Sequence, residues 1–169
     1  MVELARPNVR LVASYLDFVA EMQQLGEKLW EGMILKAGES RKEFVDRILR
    51  AETCPERGLV PETVYWAAIG KTVVGRIALR HRLNDNLKEF GGHIGYEVRP
   101  SYRRQGVAKE MLRLLLETPK AKQIGRLLLT CAPENEASNK TIQANGGALA
   151  KTAFAKKWQR ETNYYWIQL

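Results

Sequence analysis

A short basic segment near the middle of the chain has the residue types of an anion-binding site. It comprises Arg103, Arg104, Gln105, Gly106, Val107, Ala108 and Lys109. The segment follows a strand-like run at residues 93–98 and opens a helical apolar pattern. The first N–H groups of a helix have no partner within the helix, and the helix dipole attracts negative charge. Because Gly106 and Ala108 leave the backbone accessible, the segment predicts a cradle for a pyrophosphate group.

This cradle segment resembles the Arg/Gln-x-x-Gly-x-Gly/Ala signature of the GNAT superfamily, whose members are acyl-CoA-dependent N-acetyltransferases. Arg103, Gly106 and Ala108 occupy the three defining positions. The segment matches neither the three-glycine dinucleotide fingerprint nor the P-loop. The resemblance implies acetyl-CoA as cosubstrate, with its pyrophosphate on the N–H groups of residues 104–109.

A second segment supports the same resemblance. Residues 135–147 are similar to the superfamily's other cofactor-facing stretch, in which an asparagine and a serine three residues later open a helix; here these are Asn135 and Ser138. The stretch departs from the family at Gly147, where an aromatic residue is usual. Both Asn and Ser also favour helix N-termini, so a capping role is expected whatever the function. The resemblance adds that both residues face the cofactor, with the Asn135 amide bonding the pantetheine arm.

The elements that must hold these segments alternate between strands and helices. Strands are predicted at residues 2–5, 63–69, 73–80, 93–98, 126–131, 149–154 and 163–168, helices begin near Pro7 and Ser40, and two more cover 103–117 and the stretch before Asn145. This order predicts a mixed α/β (α+β) protein with a right-handed parallel crossover at its centre. The resemblance implies a GNAT-like central mixed sheet of six to seven strands flanked by helices. Its splayed parallel strand pair would lie at the cofactor site.

Length and composition are those of one soluble domain. Residues 1–169 form a single N-acetyltransferase domain in this interpretation, with 1–62 as a helical acceptor-side part and 63–169 as the acetyl-CoA-binding core. No apolar run approaches the roughly 18 residues that span a membrane, and the N-terminus is not a secretory signal. Cys54 and Cys131 form no CxxC pattern, which predicts free thiols in the cytoplasm and no metal site. A homodimer is compatible with the sequence, and no residue requires one.

The resemblance also implies how the strand at residues 93–98 would serve the reaction. Backbone groups of Tyr96 and Val98 would bind the pantetheine, and a strand N–H near Val98 would stabilise the oxyanion. The attacking amine must be uncharged, so a general base is required. Glu97 and His93 lie four residues apart on one face of the strand, and we expect them to form a carboxylate–imidazole pair.

A general acid is harder to identify. The superfamily often has a tyrosine in its last helix, and the matching position here is Ile142. Tyr164 and Tyr165 are alternatives, although core or edge packing explains them equally well. The CoA thiolate can also leave without an acid, because its pKa is near that of a cysteine.

The acceptor is the least determined part of the prediction. A small-molecule amine, an amino acid and a peptide or protein N-terminus all remain open. The resemblance assigns acceptor binding to residues 25–40, where Glu27, Glu31 and Glu39 could attract a cationic amine or could simply face solvent.

Two other functions stay open at this level. A non-catalytic CoA-binding regulatory module would explain the uncertain base and the missing tyrosine. The net charge of +8 also favours polyanions such as nucleic acid. However, the Lys and Arg residues are dispersed, and residues 156–160 are the only stretch that mixes them with an aromatic side chain. Neither a nucleic-acid nor a membrane partner is therefore expected.

Overall fold

The computed structural model describes residues 1–169 and contains seven β-strands arranged in two sheets. The first sheet has four strands, in the spatial order β1 (Glu3–Ala5), β2 (Glu62–Ile69), β3 (Thr72–Arg80) and β4 (Ile94–Val98). All its pairings are antiparallel. β2 and β3, both predicted as strands, form a hairpin in which Ile69 pairs with Thr72 across a two-residue turn.

The second sheet has three strands and comes from the C-terminal part of the chain. Its members are β5 (Arg126–Cys131), β6 (Ala148–Ala155) and β7 (Arg160–Gln168), in the order β5-β7-β6. Both pairings are again antiparallel. β4 and β5 are thus edge strands of different sheets.

Helices cover both faces of the four-stranded sheet and build two hydrophobic cores. α1 (Val12–Gln24) and α2 (Arg41–Arg50) cover one face, where the Tyr15 ring stacks on Trp66 with centroids 4.3 Å apart. The predicted start of α2 near Ser40 is confirmed, and Ser40 and Glu43 form a capping box there. On the other face, α4 (Val107–Leu116) packs its apolar stripe into the second core, together with residues of β5 and β7.

Three short helices complete the fold. These are α3 (Asp85–Glu89), α5 (Pro119–Ile124) and α6 (Glu136–Gln143). α3 lies between β3 and β4, and α6 lies within the second cofactor-like segment.

The mixed α/β class is confirmed, although the strands form two sheets instead of one and the helix of the cradle segment begins later than predicted. The helix of the cradle segment begins at Val107 rather than Arg103. Arg104 and Gly106 have φ angles of +61° and +79°, which lie in the left-handed region that an α-helix excludes. β4 and β5, the strands expected to splay apart at the cofactor site, are not joined by a ladder. Immediately before β4, the His93 N–H donates to the Leu128 carbonyl of β5 at 2.7 Å.

Candidate functional site

A cavity of about 840 Å³ opens between the edge strand β4, the C-terminal end of β5 and the first turns of α4 and α6. It brings together most of the residues that the sequence predicts for the site. Those that line it are Tyr96, Glu97, Val98, Arg103, Arg104, Gly106, Val107, Ala108, Lys109, Asn135 and Ser138. Gln105 and His93 do not line it.

The edge of β4 presents backbone groups to this cavity. The Arg80 N–H donates to the His93 carbonyl at 2.7 Å, and the Arg99 N–H donates to the Val74 carbonyl at 2.9 Å. Bonding directions alternate along an antiparallel pair, so the odd-numbered residues of β4 bond to β3. The N–H and C=O groups of Tyr96 and Val98 therefore point away from β3, towards the cavity.

The first turn of α4 is uncapped and lines the cavity. Gly106 is the N-cap residue, and no side chain caps the first-turn N–H groups. Its backbone angle of +79° suits glycine, and an added Cβ would meet nothing within 4 Å. Arg104 and Lys109 line the cavity and form no ion pair within the protein, so their charges are free to attract an anion.

Arg103 differs from its predicted role as a free positive charge at the cradle. Its two Nη atoms donate to the Glu27 carboxylate at 2.6 and 2.8 Å, and its Nε donates to the Val98 carbonyl at 3.0 Å. The hydrogen bonds from Arg103 lower the pKa of Glu27. Arg103 thus joins the segment after α1 to the end of β4, and its charge is neutralised.

The second cofactor-like segment folds as its capping pattern predicts. The Asn135 Oδ1 accepts the Ser138 N–H at 3.1 Å and caps α6. The Ser138 hydroxyl lies 2.8 Å from the Tyr96 hydroxyl, and burial raises the pKa of Tyr96 to about 12. Asn139, which the sequence analysis missed, donates to the Ala132 carbonyl and accepts from the Tyr165 hydroxyl at 2.6 Å. No local pattern distinguishes this asparagine from its neighbours.

The expected pairing of Glu97 with His93 is wrong. The Glu97 Oε2 lies 3.4 Å from Nη1 of Arg76, a buried residue that also contacts Glu62 at 3.5 Å. The His93 Nδ1 accepts the Leu128 N–H at 2.9 Å, and burial lowers the pKa of His93 to about 4. His93 is therefore neutral at pH 7, and its position at the junction of the two sheets explains its burial.

The tyrosines considered as general acids also have other partners. The Tyr164 hydroxyl donates to the Glu89 carbonyl at 2.6 Å, while Tyr165 is bound to Asn139. Neither lines the cavity, and Ile142 is buried in the core. Tyr96 supplies a hydroxyl from β4 instead, at a position that no sequence pattern marks.

Among the three glutamates of residues 25–40, only Glu27 lines the cavity, and Arg103 neutralises it. Glu39 is bound to Arg47, whose hydrogen bonds lower the pKa of Glu39 to about 2. The cavity wall contains further residues that the sequence analysis missed, including Arg80, Phe90 and Arg160. Strand register and a contact between segments that are far apart in the sequence bring these residues to the cavity wall.

Comparisons with known proteins identify the family and the fold of this chain. Residues 23–146 match the sequence model described as the acetyltransferase (GNAT) family. No curated protein matches the chain in sequence. Among solved structures, the chain is similar to the microcin C7 self-immunity acetyltransferase MccE in complex with acetyl-CoA and AMP, with a TM-score of 0.69, 14% identity, and coverage of 99% of this chain and 92% of that chain.

Two further structures show the same fold. The chain is similar to the ribosomal L7/L12 alpha-N-protein acetyltransferase RimL in complex with coenzyme A, with a TM-score of 0.67, 18% identity, and coverage of 99% and 94% of the two chains. It is also similar to the ribosomal-protein-S5-alanine acetyltransferase from Vibrio fischeri, with a TM-score of 0.69, 13% identity, and coverage of 99% and 91%.

Three wider features bear on the predicted location and cofactors. None of the helices is long and apolar enough to cross a membrane. No group of three or more His, Cys, Asp or Glu side chains is arranged to hold a metal ion. Cys54 and Cys131 are both free.

Proposed function

We propose that this chain, which belongs to the acetyltransferase (GNAT) family, transfers an acetyl group from acetyl-CoA to a primary amine. One observation carries the proposal. The uncapped first turn of α4 opens into the same cavity as the free backbone edge of β4 and the Glu97 carboxylate. An anion site, a strand edge and a base within one cavity fit an elongated anionic thioester and an amine.

The cosubstrate would bind mainly through the backbone. The pyrophosphate would lie on the N–H groups of residues 107–109, with Arg104 and Lys109 adding positive charge. The pantetheine amides would bond to the outward-facing groups of Tyr96 and Val98, as an added strand does. The Val98 carbonyl can accept a pantetheine amide only after its hydrogen bond from the Arg103 Nε is broken. Asn135 and Ser138 border the same space from α6.

The chemistry requires few side chains. Glu97 is our proposed general base and would take a proton from the ammonium form of the acceptor. The amine then attacks the thioester carbonyl, and a backbone N–H near Val98 stabilises the oxyanion. The C–S bond breaks, and the CoA thiolate takes the second proton lost by the attacking nitrogen, so that the products are the amide and the CoA thiol, while Glu97 returns its own proton to solvent. We assign no proton transfer to His93, because its pKa is near 4 and its Nδ1 is already bonded.

The acceptor is proposed to be a small-molecule amine or a peptide N-terminus. The two ribosomal-protein acetyltransferases among the similar structures support a peptide, since one is described as acting on an alpha-amino group. We also propose a cytoplasmic location, where acetyl-CoA is available and thiols stay reduced.

The first test is calorimetric titration of the protein with acetyl-CoA and 3′-dephospho-CoA, followed by thiol-release assays with amines. We expect micromolar binding of acetyl-CoA and turnover with at least one class of amine. Binding without turnover of any amine would support the CoA-binding regulatory module instead. Absence of binding would contradict the cradle itself.

A further inference from the structure

Arg80 lines the cavity and has no part in the chemistry described above. Its Nη1 donates to the carbonyls of Gly91 and Gly92 at 3.1 and 3.2 Å. Its nearest carboxylate is Glu62, whose Oε2 lies 3.9 Å from the Arg80 Nε. The remaining nitrogen, Nη2, donates to no acceptor in the protein. This guanidinium therefore has hydrogen-bond donors in reserve.

The backbone of β4 places these donors beside Glu97. The register pairs Ala78 with Gly95 and Arg76 with Glu97, so Gly95 and Glu97 share one face of β4. A Cβ at Gly95 would lie 3.2 Å from the Arg80 Nη2, closer than most side-chain contacts allow. The guanidinium thus lies against the bare backbone of Gly95. Two residues along a strand are about 7 Å apart, which sets the approximate spacing between Nη2 and Glu97.

The environment of Arg80 favours an additional oxygen partner. Its side chain is 23% exposed, and burial lowers the pKa of Arg80. A mostly buried cation with unused donors is costly unless an acceptor atom reaches it. Glu62 is shared with Arg76 and satisfies the charge only in part. An oxygen atom entering through the cavity would accept a hydrogen bond from these unused donors of Arg80.

We propose that Arg80 binds an oxygen atom of the acceptor substrate next to the amine received by Glu97, so that the site selects α-amino compounds. This inference rests on the proposed function. In an amino acid residue the nitrogen and the carbonyl oxygen are three bonds apart. Two hydrogen bonds of about 2.8 Å, one at each end of that fragment, span the gap between Glu97 and Arg80. A lysine side chain or a polyamine carries no oxygen beside its amine.

The test compares acceptors of similar shape on matched variants. Alaninamide and alanine carry an α-carbonyl and an α-carboxylate, whereas sec-butylamine carries neither. We expect Arg80→Gln to lower kcat/KM for alaninamide by about 10- to 100-fold, mainly through a higher KM. The kcat/KM for sec-butylamine should stay within about twofold of the wild-type value. The matched control is Arg82→Gln, which replaces an exposed arginine two residues further on and should leave kcat/KM unchanged for both acceptors. A larger loss with alanine than with alaninamide would identify a carboxylate as the preferred partner.

Each outcome separates this inference from the function on which it rests. Equal losses with both kinds of acceptor would give Arg80 a structural role and overturn the inference. An unchanged kcat/KM for alaninamide would overturn it as well. In both cases the wild-type turnover would keep the acetyltransferase function intact. If Arg80→Gln fails to fold, Arg80→Lys takes its place, because it keeps the charge and loses the second donor nitrogen. Binding of acetyl-CoA with no turnover of any amine would overturn both proposals.

Discussion

Two substitutions of Gly106 test the cradle, because they share a backbone cost and differ in charge. Gly106 has a φ of +79°, and an added Cβ would have no neighbour within 4 Å. Alanine therefore meets no steric clash, and only the left-handed backbone costs about 1–2 kcal/mol. For a chain of this length, Gly106→Ala should lower Tm by about 2–8 °C.

Gly106→Glu carries the same backbone cost and adds a carboxylate where the pyrophosphate should lie. Two like charges 4 Å apart repel by about 4 kcal/mol at an effective dielectric constant of 20. Solvent and salt screen this repulsion at an exposed site, so we expect it to cost about 1–4 kcal/mol of binding free energy. This corresponds to roughly a 5- to 1,000-fold loss of affinity for acetyl-CoA. In the free protein the same carboxylate is favourable near the helix N-terminus by about 0.3–1 kcal/mol. Gly106→Glu should thus be no less stable than Gly106→Ala.

The assay is calorimetric titration of the wild type and both variants with acetyl-CoA, with thermal unfolding measured in parallel. We expect near-normal affinity for Gly106→Ala and a large loss for Gly106→Glu, at similar Tm. Affinities within about threefold of each other in the two variants would refute the reasoning. The anion would then bind away from the first turn of α4.

Three further predictions concern the remaining groups of the site. Glu97→Gln should lower kcat by at least about 100-fold and leave acetyl-CoA affinity within about twofold; an unchanged kcat in thiol-release assays would remove Glu97 as the base. Glu27→Gln should raise acetyl-CoA affinity several-fold, because Arg103 becomes free to attract phosphate, and lower affinity in calorimetry would contradict this. The lowered pKa of His93 means that its neutral form stabilises the fold above pH 6.5, and that this contribution is lost as pH falls towards 4. In denaturant unfolding, the free energy of unfolding should fall by about 2 kcal/mol between pH 7 and pH 5 because of His93, and His93→Gln should abolish that part of the pH dependence.

The sequence predicts best where one stretch of chain determines both structure and role. The start of α4 is such a stretch, because Gly106 and the helical pattern after it together place an uncapped helix N-terminus without any distant partner. The strand at residues 126–131 has the predicted bounds for a similar reason, since its continuous apolar run allows few alternatives. The capping of α6 by Asn135 is equally local.

Sequence reasoning fails where a role depends on a partner far along the chain. His93 looks like a catalytic imidazole until its partner, Leu128, is known, and the two are 35 residues apart. Arg103 looks like a phosphate ligand until Glu27 is found 76 residues before it. Arg80 lies against Gly95, two residues before Glu97, only because of the β3–β4 register and the missing side chain of Gly95. Periodicity predicts which face a residue occupies and carries no information about the opposite element.

In the proposed mechanism, β4 separates the two substrates by the geometry of a single edge strand. Its outward backbone groups, at Tyr96 and Val98, face the cavity and would receive the thioester. The side chains of those same residues pack towards the core beneath α4, whereas Glu97 points to the face covered by α1. Substitutions of the Val98 side chain that keep its size should therefore spare acetyl-CoA binding, because the backbone supplies the contact. Changes at Gly95 or Glu97 should act on the acceptor, because that face alone carries the base and the spare donors of Arg80.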